Sequence, residues 1–268
     1  MTIGLVTCFY GRAEKVERII RFYIDQDYTG RSYLLLYNNG PLPTQLEDIQ
    51  LPEYKNIILI NNNKDLETGQ EYKNVGDIFR DALTFLPDDV QVVNFFDSDD
   101  CFMPNHISEG VEGMKQAYAS GYDAYKPYYS YYAYGDEISY AHNTLEPSIF
   151  VSLYELKQLG FKKTSATYHQ GWELPMKQAG KILCGPRHYG TPTLIYNWEK
   201  GHNTYKISGS GDDGYSNLLK HREFETDFGS GILSAASPYI AQKYYNLVKE
   251  HEKKQPYHEF LTAKITEK

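Results

Sequence analysis

Residues 90–100 read VQVVNFFDSDD, where an apolar run turns abruptly into a cluster of carboxylates. The run over 90–96 places apolar side chains on both faces of an extended chain, which is typical of a central strand covered on both sides. The carboxylates over 97–100 follow where that strand ends. In open α/β sheets, ligands bind at the carboxyl ends of the strands. This stretch therefore predicts a buried sheet with a polar site at its edge.

Strand and helix patterns alternate on both sides of this stretch. Before it, the residue pattern predicts strands over 3–9, 32–37 and 56–60 and helices over 13–27 and 72–86. After it, the pattern predicts helices over 105–120, 153–159 and 171–179, strands over 181–184 and 193–198, and paired strands over 122–140 with a turn at Gly135-Asp136. A glycine-rich loop over 206–215 and a closing helix over 238–251 complete the chain. The alternation predicts an α/β fold with a mainly parallel sheet.

Composition limits the class of protein. The 268 residues correspond to one or two domains, and no low-complexity linker divides them. Lys and Arg number 27 against 35 Asp and Glu, and the resulting net charge of −8 argues against a general nucleic-acid-binding protein. Cys8, Cys101 and Cys184 are too few and too scattered for a disulfide framework or a zinc cluster, so we expect free thiols in a reducing compartment.

The sequence predicts a cytoplasmic protein without a membrane anchor. No apolar run approaches 18 residues, and the N-terminal segment lacks the basic region of a signal peptide. The 26 tyrosines allow two interpretations. Tyrosine rings suit stacking on sugars or bases, and an AT-rich coding sequence would also enrich tyrosine. Composition alone favours the second interpretation.

The acidic cluster predicts a divalent cation. Asp97, Asp99 and Asp100 repel one another, and the apolar strand before them makes their ionised state more costly. A bound Mg²⁺ or Mn²⁺ relieves that repulsion and can bridge the diphosphate of a nucleotide. The alternative is an acidic turn that caps the helix beginning near Pro104. The position between a buried strand and that helix favours metal or nucleotide binding.

Other polar or aromatic residues end the neighbouring strands. The turn Phe9-Tyr10-Gly11-Arg12 can place a ring on a nucleobase, and Asn38 and Asn39 can bond its edge. Arg80, on the helix before the acidic strand, can meet phosphate or Asp97, although a surface ion pair is an equal alternative.

Four segments in order resemble the GT-A-type nucleotide-sugar glycosyltransferases, nearest to family 2: VTCFYGRAEKV, LLLYNNG, NVGDIFRDAL and VVNFFDSDDCFMPNHI. The resemblance covers about residues 1–115. It implies a GT-A-like, Rossmann-like, mainly parallel sheet flanked by helices, with a smaller acceptor-side sheet and a C-terminal helical tail. It implies a catalytic domain over 1–235, divided into a nucleotide-sugar half over 1–115 and an acceptor half over 116–235, and a helical extension over 236–268.

The resemblance also implies roles for single residues. Asp99 is the main metal ligand, and Asp97 contacts ribose or metal. The nucleotide-sugar site contains these residues: Phe9, Tyr10, Arg12, Asn38, Asn39, Arg80, Asp97 and Ser98. Two departures, Gly11 for the usual Asn and Asn38 for the usual Asp, leave the base open, with UDP favoured.

The second half carries fewer matches. The stretch His169-Gln170-Gly171-Trp172-Glu173-Leu174 resembles the segment that holds the family's catalytic carboxylate, but Gln170-Gly171 stand where the acidic pair is expected. Glu173 is the preferred base and His169 the alternative, whereas an ordinary first-turn glutamate is an equal interpretation of Glu173. His202, with His188 as a rival, can complete the metal shell.

The acceptor side is predicted from aromatic residues. Tyr128, Tyr131 and Trp172 are the candidates for binding an acceptor, which is a glycan by default and conceivably a modified nucleobase. The predicted function is metal-dependent transfer of a sugar, while the loop over 208–214 closes on the donor. In-line attack predicts inversion, and retention is the alternative if the carboxylate base is absent. Two alternatives are a nucleotidyltransferase acting on a sugar phosphate and a non-catalytic nucleotide-sugar-binding module.

Overall fold

The computed structural model of the protein describes residues 1–10, 13–41, 43, 56–98, 100–134, 137–142, 146–164, 168–185, 192–198 and 232–235. The helices are α1 (Ala13–Ile24), α2 (Val75–Ala82), α3 (His106–Ala119), α4 (Leu153–Leu159) and α5 (Gln170–Gln178). The strands are β1 (Ile3–Phe9), β2 (Ser32–Asn38), β3 (Ile57–Asn61), β4 (Val92–Phe95), β5 (Cys101–Phe102), β6 (Ala124–Lys126), β7 (Tyr129–Tyr134), β8 (Glu137–His142), β9 (Phe150–Ser152), β10 (Ile182–Cys184), β11 (Leu194–Trp198) and β12 (Ile232–Ala235).

A seven-stranded sheet with the order β10-β6-β9-β4-β1-β2-β3 forms the centre of the protein. β1 pairs in parallel with β2 and β4, and β2 pairs in parallel with β3. β9 is antiparallel to both of its neighbours, β4 and β6. A second sheet has the order β12-β8-β7-β11-β5. The α/β fold with a mainly parallel sheet and a smaller second sheet is thus confirmed.

Helices cover both faces of the large sheet. α1 and α3 supply Ile19, Ile20 and Met114 to one apolar cluster, and α2 and α5 supply Phe79 and Trp172 to the other. β1 contributes to both clusters because its side chains alternate between the faces. The central strands are therefore buried on both sides, which is the arrangement that the mainly apolar stretch over 90–96 indicates.

Most predicted elements are found within two or three residues of their expected limits. The helix predicted over 72–86 is shorter: α2 ends at Ala82, and a single 3₁₀ turn follows over Leu83–Phe85. β5, β9 and β12 have two, three and four residues and were not predicted, because runs this short show no periodicity. The turn at 135–136, the loop over 206–215 and the helix over 238–251 lie outside the described residues.

Two other expectations can be compared with the structure. Cys8, Cys101 and Cys184 are free thiols, as predicted. Among the described residues, no helix combines the length and the apolar character needed to cross a membrane.

Candidate functional site

The carboxyl ends of β1 to β4 meet at one edge of the large sheet. Phe9, the last residue of β1, lies opposite Asn38 of β2, which lies opposite Asn61 of β3. The pairing continues beyond the strands, because the Asn39 N–H donates to the Phe9 carbonyl (3.0 Å) and the Asn62 N–H to the Asn38 carbonyl (3.0 Å). The acidic cluster follows β4 at the same edge, which we call the carboxyl edge.

Residues 97–100 are called the acidic loop, and hydrogen bonds fix the backbone of Asp97, Ser98 and Asp100 within it. The Thr7 hydroxyl donates to the Phe96 carbonyl (2.5 Å), and the Asp100 N–H donates to the Asp97 carbonyl (3.2 Å). The Arg18 guanidinium, from α1, donates through Nη2 to the Ser98 carbonyl (2.6 Å). Three consecutive carbonyl oxygens, from Phe96 to Ser98, therefore each accept a defined donor.

Charge and burial in the acidic loop differ from residue to residue. Asp97 is half-buried, whereas Ser98 and Asp100 are buried. Burial raises the pKa of the Cys8 thiol, and the negative charge of Asp97 raises it further, so Cys8 stays neutral beside the loop. Asp99, the expected main metal ligand, lies outside the described residues. Within the described part of the chain, no group of three or more His, Cys, Asp or Glu side chains is arranged to hold a metal ion.

Residues at the ends of β1 and β2 divide into exposed and buried groups. Tyr10 is 52% exposed and can offer its ring to a base, whereas Phe9 is 3% exposed and packs in the core. The buried Asn38 amide accepts from the Gly40 N–H (2.9 Å) and donates to Asn61 Oδ1 (2.9 Å), which stabilises the turn after β2. The structure thus places Tyr10 and Asn39 at the accessible part of this edge. Arg12 lies outside the described residues.

Arg80 is surrounded by carboxylates. Its guanidinium lies 3.2 Å from Asp65, 2.9 Å from Glu67, 2.9 Å from Asp77 and 2.8 Å from Asp81. Burial lowers the Arg80 pKa, but the carboxylates outweigh burial and the net shift is upward. The ion pairs of this guanidinium within the described residues are to these carboxylates, and phosphate binding by Arg80 stays a prediction. Its observed role is to hold the segment after β3 onto α2.

A chain of hydrogen bonds extends from this cluster to β2. Asp81 Oδ2 accepts from the Tyr72 hydroxyl (2.8 Å), which bonds the Tyr37 hydroxyl (2.7 Å), and Tyr37 accepts from Asn62 Nδ2 (2.7 Å). Burial is the main cause that raises the pKa of Tyr72, followed by Tyr37 and Asp81. Because Asn62 directly follows β3, this network fixes the segment that borders the carboxyl edge.

The N-terminus of α5 points to the same edge. β10 is parallel to β6, and β6 and β4 are both antiparallel to β9, so β10 runs in the direction of β4. The helix that leads back to the start of β10 must therefore begin at the carboxyl edge. His169, the residue before α5, and Glu173 in its first turn lie near this end.

His169 and Glu173 form a pair. His169 Nε2 is 3.5 Å from Glu173 Oε2, and the Lys177 ammonium contacts Glu173 Oε1. The side chain of Glu173 is 6% exposed and that of His169 is 20% exposed. His169 is thus the more accessible member, and Glu173 is a buried carboxylate with basic groups on both sides.

Two of the three expected acceptor-binding residues lie in the core. Trp172 is fully buried and its ring packs 5.9 Å from that of Phe95, and Tyr131 is 3% exposed. Neither ring offers a surface to an acceptor in this structure, because both fill the core. Tyr128 is half-buried, with its ring 4.8 Å from that of Tyr129. His202, the expected metal ligand, and His188 lie outside the described residues.

Arg18 is the residue at the acidic loop that the sequence analysis missed. The apolar residues Val16, Ile19, Ile20 and Tyr23 define one buried face of α1, and Arg18 lies off that face. Phe22, four residues after Arg18 and 1% exposed, belongs to the same apolar cluster and widens this face towards Arg18. The width of this apolar face, which includes Phe22, is the sequence signal that Arg18 lies at the border of the core.

Several solved structures that resemble this chain in fold are glycosyltransferases. The structure of S. aureus TarS 1–349 in complex with UDP-GlcNAc has a TM-score of 0.57 and 14% identity, and the complex with UDP has 0.53 and 13%. The mannosyltransferase PcManGT from Pyrobaculum calidifontis, in complex with GDP-Man and Mn²⁺, has a TM-score of 0.52 and 11% identity.

These likenesses show a shared GT-A-like fold. They cover 81% of this chain for both TarS complexes and 72% for PcManGT. The chain spans 63–64% of the TarS 1–349 structures and 56% of PcManGT. No protein-family model and no curated protein sequence matches the chain. Membership of family 2 stays a prediction.

Proposed function

We propose that the protein is a glycosyltransferase that moves a sugar from a nucleoside-diphosphate sugar, with UDP favoured, to an acceptor hydroxyl with inversion. The observation that carries this proposal is the acidic loop, which hydrogen bonds from Thr7 and Arg18 attach to the carboxyl end of β4 beside the ends of β1 and β2. Structures of similar fold contain UDP and UDP-GlcNAc in TarS and GDP-Man in PcManGT.

A divalent cation fits the donors of the acidic loop. Carboxylate oxygens are the ligands that Mg²⁺ and Mn²⁺ prefer, and such ions keep positions for phosphate oxygens and water. Asp97 and Asp99 would hold the cation, and PcManGT was crystallised with Mn²⁺. When bound, the cation would stabilise the negative charge that develops on the departing diphosphate.

The chain's own side chains bind the donor and remove a proton. The exposed ring of Tyr10 would stack on the base, and Asn39 would contact its edge. His169 and Glu173 would together supply the base that accepts the acceptor hydroxyl's proton. His169 is the more accessible member, and the buried Glu173 would orient its imidazole.

The first experiment is calorimetric titration with UDP, GDP, CDP and ADP, each with and without Mn²⁺, followed by a donor-hydrolysis assay with the sugar nucleotides of whichever base binds. We expect one diphosphate to bind with a dependence on Mn²⁺ and its sugar nucleotide to be hydrolysed. Asp97→Asn should abolish the dependence on Mn²⁺. Asp89→Asn is the matched control, since Asp89 precedes β4 at its other end and pairs with the exposed Arg31. Binding of no diphosphate would refute the proposal, and pyrophosphate release from a nucleoside triphosphate plus a sugar phosphate would indicate a nucleotidyltransferase.

A further inference from the structure

Arg18 is a fully enclosed charge on a helix that otherwise contributes apolar residues to the core. The residue is 2% exposed, and its neighbours Ile19 and Ile20 are completely buried. Arginine is almost never buried this deeply unless it is paired, because removing a charge from water is costly. A defined partner must therefore offset that cost.

One partner of Arg18 is the backbone of the acidic loop. Arg18 Nη2 donates to the Ser98 carbonyl at 2.6 Å, across 80 residues of sequence. The two preceding carbonyls are fixed as well, that of Phe96 by the Thr7 hydroxyl and that of Asp97 by the Asp100 N–H. Arg18 thus supplies the bond that ties the centre of the loop to α1.

Its charge suits this position. A guanidinium is always protonated and donates in a planar, fixed geometry, so it places a permanent positive charge beside a loop that carries three aspartates. A lysine would keep the charge but would lose the planar geometry. The orientation of the carboxylates depends on the backbone to which they are attached.

We propose that Arg18 is a positioning residue: it holds the backbone of residues 97–100 so that the carboxylates of this loop are presented to the cation and nucleotide. The part of this inference that concerns ligands rests on the proposed function. The part that concerns the loop itself does not.

The test uses the full-length chain with Arg18→Lys and Arg18→Met, and Arg21→Met as the matched control. Arg21 lies on the same helix, its side chain is 38% exposed, and it pairs with Glu17. Amide hydrogen exchange of the peptide 96–102 is measured without metal or nucleotide. We expect about tenfold faster exchange in Arg18→Lys, because a hydrogen bond from a charged donor is lost, with exchange in β2 unchanged. Arg21→Met should match the wild type.

The second measurement is the Mn²⁺-dependent affinity for UDP, which we expect to fall about tenfold in Arg18→Lys and to stay constant in Arg21→Met. If Arg18→Met fails to fold, the measurements on Arg18→Lys alone test the positioning role of Arg18. Wild-type exchange over 96–102 in folded Arg18→Lys would overturn the inference. Faster loop exchange in a protein whose wild type binds no nucleoside diphosphate would refute the proposed function and leave the positioning role of Arg18 supported.

Discussion

Acidification should destabilise this protein through His106, which is completely buried at the start of α3. Its Nδ1 lies 2.9 Å from Thr193 Oγ1 and its Nε2 lies 3.2 Å from Asn94 Oδ1. The rings of Phe102 and Phe150 lie 5.0 Å and 5.1 Å away. Burial in this apolar site is the main cause that lowers the pKa of His106 from 6.5 to about 3.

The sign and size of the effect follow from proton binding. Between pH 6.5 and about 3, the unfolded chain binds a proton at this position and the folded chain does not. The free energy of unfolding therefore falls as the pH falls, by up to about 1.4 kcal/mol per pH unit. From pH 7 to pH 5, His106 alone should remove about 2 kcal/mol.

The assay is urea unfolding at pH 7, 6 and 5, with the wild type, His106→Gln and Thr193→Val. Glutamine keeps hydrogen-bonding groups but cannot ionise at these pH values. The loss of unfolding free energy between pH 7 and pH 5 should therefore be about 2 kcal/mol smaller in His106→Gln than in the wild type. Thr193→Val is the control, because it removes a partner of the ring and leaves the ionisable group in place. The reasoning is refuted if the difference in stability between wild type and His106→Gln is the same at pH 7 and pH 5.

Other predictions concern packing and charge. Arg80→Met should lower the free energy of unfolding by about 2 kcal/mol, because it leaves partly buried carboxylates without their cation, and Arg31→Met, at an exposed pair, should leave urea unfolding unchanged. Gly76→Ala should lower the melting temperature, since a Cβ there would lie 2.0 Å from the Lys162 carbonyl oxygen, and a wild-type melting temperature would contradict the close approach. Trp172→Ala should cost about 3–5 kcal/mol in urea unfolding, whereas a loss below about 1 kcal/mol would argue against its core position.

The sequence predicted the N-terminal half of the fold because its signals are local. The apolar run over 90–96 must be buried on both faces, and that requirement alone indicates helices on both sides of the sheet. The place of the acidic loop followed from the order of elements, since parallel strands end at a common edge.

The finer features of the site depend on contacts that span long separations in sequence. The bond from Arg18 to Ser98 joins residues that are 80 positions apart, and no local pattern indicates it. Arg80 matched a ligand-binding position, but four carboxylates from two segments surround it. Trp172 was interpreted as a surface for ligands because tryptophan suits stacking, yet tryptophan also fills cores, and only the packing against Phe95 decides between the two.

The position of β9 has a consequence for synthesis of the chain. β9 covers one edge of β4 with three residue pairs, Val92–Ser152 to Asn94–Phe150, and it lies between β4 and β6 in the sheet. During translation, β4 leaves the ribosome more than fifty residues before β9, so its unpaired edge and the apolar residues beside it stay open to other chains. A fragment that ends near residue 115 would keep this edge permanently open. We therefore expect residues 1–115, made without β9, to aggregate more readily than the whole chain.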